Sequence, residues 1–122
     1  MYRLKLASLT LFILLLVLYL HVNGIYSGWY NTFFFFDVIV HFLGGVGIAL
    51  SAFFVFKHLK YIILTTIICA IIWELFEIHY DIAGWPLWTL SYYIDTIKDL
   101  SMGTLGAITV CLIIINRKPN EH

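Results

Sequence analysis

Asp37, His41, Glu74, Glu77, Asp95 and Asp99 are ionisable residues set inside apolar runs long enough to span a bilayer. Asp37 and His41 stand four residues apart, as do Asp95 and Asp99, while Glu74 and Glu77 stand three apart. On a helix each such pair shares one face. A carboxylate in hydrocarbon is costly unless it is paired, protonated, hydrated or bound to a cation, so acids in this setting point to a functional site. With Asp81 included, six carboxyls stand against Lys98 as the one base among them. Full ionisation is untenable at low dielectric. Several carboxyls must be protonated, or one or two divalent cations must neutralise them, or water and a cationic substrate must enter. Oxygen ligands joined by one or two imidazoles suit Mg²⁺ or Mn²⁺ and admit Zn²⁺ or Fe²⁺. Lys98 has a plain role, an ion pair with Asp95 or Asp99. It also has a sharper one, holding a phosphate or other anion beside the metal.

The elements that must position these groups are membrane helices. Of the 122 residues, 62% are hydrophobic and only 11% charged, where soluble proteins carry about 25% charged residues. The mean hydropathy is strongly positive. Four spans are predicted at about residues 5–23, 32–56, 61–79 and 91–115, each meeting the roughly 17–25 residues a crossing needs. The runs do not alternate as barrel strands do. The expected fold is all-α, a four-helix integral membrane bundle forming one domain over residues 1–122.

Arg3 and Lys5, Lys57 and Lys60, and Arg117 and Lys118 fall on one side of such a bundle. The positive-inside rule makes that side, with both termini, cytoplasmic. The opposite loops lack Lys and Arg but carry Tyr26, Trp29, Tyr30, Tyr80, Trp85, Trp88, Tyr92 and Tyr93, an aromatic belt at headgroup level. The first span is read as retained, since no small-x-small cleavage site follows it. Cys69 and Cys111 are expected at different depths and unpaired, and the tail from Asn116 to His122 as a solvated end.

Counted from the aromatic boundary, Asp37 and Asp95 should lie about five residues deep, Glu77 and Glu74 two to five, and His41 and Asp99 eight to nine. That is one layer roughly 3–14 Å below the interface. Advancing about 100° per residue, Asp95, Asp99, Gly103 and Gly106 form one stripe, and Asp37, His41, Gly44, Gly45 and Ala52 another. Small residues let membrane helices approach closely. Spans two and four, with span three, should therefore pack through Gly and Ala on their cytoplasmic halves and open outward into a polar pocket. His79 reads as a boundary residue, His21, His58 and His122 fall outside the cluster, and Trp73 reads as a packing residue.

Phe36-Asp37-Val38-Ile39-Val40-His41-Phe42-Leu43-Gly44-Gly45, Trp73-Glu74-Leu75-Phe76-Glu77 and the stretch from Asp95 to Ala107 supply the order D-x3-H-F, W-E-x2-E, D-x2-K-D and L-G-A. As a set these elements resemble the YjdF-like family of small inner-membrane proteins, over about residues 33–110. The resemblance implies the membrane fold, the site positions and residence in the cell's inner membrane, and leaves the reaction open. Many relatives are longer, so this chain looks like a pared-down core. A weaker likeness runs to VanZ-like proteins and implies work at the envelope. The Asp95-x3-Asp99 spacing also resembles the D-x3-D helices of membrane prenyltransferases and alcohol phosphotransferases, whose acids hold Mg²⁺ against a diphosphate. The first D-x2-D-G-x2-A-R element of those enzymes is missing here.

Three readings of the acid set are open: a cation site, a hydrogen-bonded network fixing helix register, and a path for protons or solute. The first leads to a metal-dependent membrane enzyme in which Asp37, His41, Glu74, Glu77, Asp95 and Asp99 supply ligands. A remaining carboxylate would be general base, and Lys98 would steady an anionic headgroup. The substrate would be a lipid or lipid-linked phosphate reached sideways from the bilayer. The competing class is a cation- or proton-coupled transport or binding module. It needs polar residues in the cytoplasmic halves, which the chain hardly has, or a homo-oligomer to supply them. No nucleic-acid partner is expected, and no G-x-S-x-G, P-loop, H-E-x2-H or Cys-rich zinc pattern occurs.

Overall fold

The structure, a computed structural model, describes residues 2–82 and 84–116. Five helices follow in chain order: α1 (Tyr2–Tyr26), α2 (Trp29–Thr32), α3 (Phe36–Val55), α4 (Leu59–His79) and α5 (Leu90–Asn116). There is no strand among the described residues. All but the one-turn α2 are long and apolar enough to cross a membrane. Arg117 and Lys118, and the predicted solvated tail beyond Asn116, lie outside the described residues.

Two boundaries differ from the sequence expectation. α1 runs on to Tyr26, and the chain then turns at Gly28, whose φ of 69° is left-handed, to start α2. α3 begins at Phe36 rather than near residue 32, because Phe33, Phe34 and Phe35 form an exposed aromatic segment, Phe34 being 96% accessible. Asp37 consequently sits in the first turn of α3, shallower than the five residues expected. At the far end of α4, Asp81 takes a left-handed φ of 54°. The Ile82 N–H then bonds the Glu77 carbonyl and the Asp81 N–H that of Ile78. These bonds close the helix with a Schellman motif. Asp81 is thus an exposed helix terminator. Thr89 starts α5 by accepting a bond from the Tyr92 N–H at 3.3 Å.

α3 is the hub of the bundle and packs against α1, α4 and α5, while α4 and α5 also pack on each other. The closest approach is between α3 and α5: a Cβ on Gly45 would run into the Gly103 carbonyl, and one on Gly106 into the Phe42 carbonyl. The predicted small-residue contact between spans two and four is therefore present. Below it, at the end that carries Lys5, Lys57 and Lys60, Ala49, Leu50, Ile62, Ala107 and Val110 form the buried apolar cluster. Polar side chains in the spans satisfy themselves locally. Thr10, Ser51, Thr66, Ser101, Thr104 and Thr109 each donate to the carbonyl four residues back.

α1 is held differently. It lies against α3, where Leu14 covers Gly47, and against α2, but its backbone stays away from α4 and α5 among the described residues. The four spans are thus a packed α3–α4–α5 trio with α1 leaning on one side.

Candidate functional site: an acidic cluster over a lateral cavity

Asp37 and His41 occupy successive turns of α3, and Asp95, Lys98 and Asp99 occupy successive turns of α5. The glycine contacts below force these two helices together, and the two sets of side chains meet above them. The Lys98 Nζ donates to Asp37 Oδ2 and to Asp95 Oδ1, both at 2.6 Å, and lies 3.4 Å from Asp99 Oδ1. His41 Nε2 stands 3.2 Å from Asp37 Oδ1 and 3.6 Å from Asp99 Oδ2. One cation from α5 and one imidazole from α3 are thus threaded among three carboxylates. Lys98 does more than form the local pair expected with Asp95 or Asp99: its partner Asp37 comes from another helix. Its side chain is still 36% accessible, and an ammonium has three donors, of which two are used.

Asp99 is the exception in this network. Its side chain is 3% accessible, and Oδ1 makes no hydrogen bond among the described residues, its charge being met by the Lys98 ammonium at 3.4 Å. A buried carboxylate oxygen without a full hydrogen bond is costly, and the ion pair offsets part of that cost. One ligand atom from each of Asp37, His41 and Asp99 lies within 4.8 Å of the others, a spacing that one cation at about 2.0–2.2 Å from each atom would draw together.

The remaining predicted ligands stand around this triad. Asp95 is engaged by Lys98. Glu74, buried on α4, is next to the Thr96 hydroxyl of α5. Glu77 accepts a bond from the Trp73 Nε1 at 2.8 Å, one turn back on α4. The structure therefore joins Asp37, His41 and Asp99 in one ligand-sized group, attaches Asp95 through Lys98, and leaves Glu74 and Glu77 as α4 neighbours.

Beneath the cluster, between α1 and α4, lies a cavity of about 340 Å³. Val17 and His21 line it from α1, His41 and Gly44 from α3, and Ala70 and Trp73 from α4. Its walls are mainly apolar, and the His41 ring is common to cavity and cluster. At its aromatic end His21 meets the Trp73 ring edge-on, centroids 4.6 Å apart, which joins α1 to α4. His21 Nδ1 pairs with the Tyr30 hydroxyl of α2 at 2.6 Å. Burial, and then the charge of Asp37, hold the Tyr30 phenol above its ordinary value. The phenol thus keeps its proton. The sequence reading set His21 aside and treated Trp73 as packing, yet both line the cavity. The signal was available for His21, which is five residues from the end of α1, as His41 is from the start of α3.

Fold and composition define an integral membrane helical protein with a polar cluster near one face of the bundle. The chain belongs to the family described as predicted membrane protein (DUF2238), which matches residues 1–120. No curated protein matches the chain, and no solved structure does.

Proposed function

We propose that Asp37, His41 and Asp99 hold a divalent cation and that the protein is a membrane-embedded, metal-dependent hydrolase or transferase acting on the phosphate of a lipid or lipid-linked substrate. The carrying observation is the ligand-sized grouping of Asp37, His41 and Asp99, one ligand atom of each within 4.8 Å of the others, around a buried Asp99 carboxylate that has no full hydrogen bond at Oδ1. A cation would offset the clustered negative charge that Lys98 alone does not balance, and two carboxylates with one imidazole suit Mg²⁺, Mn²⁺ or Zn²⁺. A metal held by Asp37, His41 and Asp99 would supply Lewis-acid activation of water or another hydroxyl and of the phosphoryl group. The new P–O bond forms as the bond to the leaving group breaks. The proton released from the nucleophile passes to a nearby carboxylate, Glu74 or Asp95. The third donor of Lys98 steadies the phosphate charge.

Passage of protons or cations through the bundle is the weaker reading. What lies next to His41 toward the basic end is a mainly apolar cavity and then a cluster of Ala, Leu, Ile and Val, and the hydroxyls there, Thr10, Ser51 and Thr66, are each spent on a carbonyl of their own helix. Residence in the cell's inner membrane with both termini cytoplasmic belongs to the proposal and rests on the basic residues gathered at one end. The YjdF-like likeness of the D-x3-H-F, W-E-x2-E and D-x2-K-D elements belongs to it too, being compatible with the family membership.

The test is release or transfer of phosphate from lipid phosphates by the full chain reconstituted in liposomes. Turnover should vanish on chelation, return with Mg²⁺, Mn²⁺ or Zn²⁺, and fall by about 10²-fold or more in His41→Ala, as expected when a catalytic metal loses a ligand. Turnover indifferent to chelation would reject the metal mechanism.

A further inference from the structure

The cavity between α1 and α4 has properties that narrow what fills it. It lies beside residues in the middle of four membrane-length helices, well inside the hydrocarbon depth. Its two side walls belong to helices whose backbones do not pack on each other, so its mouth faces the bilayer laterally. A volume of about 340 Å³ is too small for a partner helix, which with side chains is about 10–12 Å across. Its few polar groups already have partners, His21 Nδ1 in Tyr30, His41 Nε2 in Asp37 and the Thr66 hydroxyl in the Ile62 carbonyl, so the mainly apolar lining suits ordered water poorly. An unfilled void would forfeit contacts on every wall. What remains is a slender hydrocarbon chain.

The cavity is also polarised. Its imidazoles, His21 and His41, stand toward the aromatic end, while away from it the Thr66 hydroxyl is spent on the Ile62 carbonyl, and from His41 to Ile48 the floor is α3 backbone and apolar side chain over about 10 Å. A bilayer lipid presents the same order, headgroup at the interface and chain toward the midplane. The polar end adjoins the Asp37–His41–Asp99 group through the shared His41 ring, and with the proposed cation bound there, that group and Lys98 would complement a phosphate.

We propose that this cleft seats one acyl chain of a bilayer glycerophospholipid and so presents the lipid's phosphate end to the acidic cluster. The chain seat stands on the cavity alone, and only the presentation of the phosphate rests on the function proposed above. Gly44 gives a clean way to close the seat. The nearest atom to a Cβ built there is Val17 Cγ1 at 4.0 Å, so a side chain at this position grows into the cleft without disturbing α5.

The experiment uses the full chain in nanodiscs doped with a phosphatidylglycerol whose acyl chain carries a diazirine, with adducts mapped by mass spectrometry and bound metal measured on the same samples. Adducts are expected on Leu14, Val17, Cys69 or Ala70. Gly44→Leu and, from the opposite wall, Val17→Trp should each lower their yield about tenfold, the effect of overfilling a packed site, with helix content and bound metal unchanged. Adducts confined to the outer faces of the bundle, or equal yields in both variants, would overturn the seat. So would displacement of the probe by an isoprenoid phosphate but not by unlabelled phosphatidylglycerol. Acyl adducts without bound metal would leave the seat standing and remove the metal-dependent function. Bound metal without cleft adducts would do the reverse.

Discussion

The two sides of α3 are built on opposite rules. Toward α5, glycines at 45, 103 and 106 bring backbone against backbone, and above that contact five ionisable side chains interlock. Toward α1 and α4, the neighbouring Gly44 faces open space, and the two helices beyond it meet at the ring contact of His21 with Trp73. Close packing is what membrane helices use in place of a hydrophobic driving force. The tight side therefore fixes the geometry of the acids, and the loose side makes room for a ligand. A rigid constellation beside an accessible cavity is the arrangement that a binding or catalytic site requires.

The contrast can be broken most severely at Lys98. In Lys98→Met, Asp37, Asp95 and Asp99 lose their shared cation, and the expected loss is about 3 kcal/mol, the low end for an uncompensated buried charge because Lys98 is 36% accessible. Unfolding of the purified chain in mixed micelles measures it, and a loss near zero would mean that the α3–α5 cluster is wet and loosely held.

A smaller effect sharpens the contrast at adjacent residues. Gly45→Ala pushes a methyl into the Gly103 carbonyl and should cost about 1–3 kcal/mol. Gly44→Ala meets nothing closer than 4.0 Å and should be neutral or gain up to about 1 kcal/mol from helix propensity. Equal destabilisation of the two variants would show that α1 is packed as tightly as α5 and that no cleft exists.

How much of this was written in the sequence depends on whether the information is local to one helix. The pairs Asp37 with His41 and Asp95 with Asp99, and the glycine stripes below them, follow from 3.6-residue periodicity. The apposition of α3 and α5 followed from those stripes. The start of α3 differs from the sequence expectation because Phe33 to Phe35 are as apolar as a span but form an exposed aromatic segment before the helix. The bond from Lys98 to Asp37 joins residues 61 apart in sequence and could not be counted along any single helix. The pocket was expected above the glycine contact, among spans two, three and four. The structure instead puts the open volume between α1 and α4, because α1 is apolar all round, and its sequence gives no stripe to reveal which side it lends to a cavity. His21, by contrast, was legible by depth, five residues from the end of α1 as His41 is from the start of α3.

In the proposed function, Asp37, His41 and Asp99 form a cation site around the buried Asp99 carboxylate. Metal content of the purified full chain, measured by elemental analysis after equilibration with Mg²⁺, Mn²⁺ and Zn²⁺ in turn, tests it most directly. Stoichiometric retention of at least one of these ions by the wild type, with its loss in a still helical Asp99→Asn variant, is the predicted result. A wild type that retains none of them, or an Asp99→Asn variant that binds as the wild type does, would contradict it.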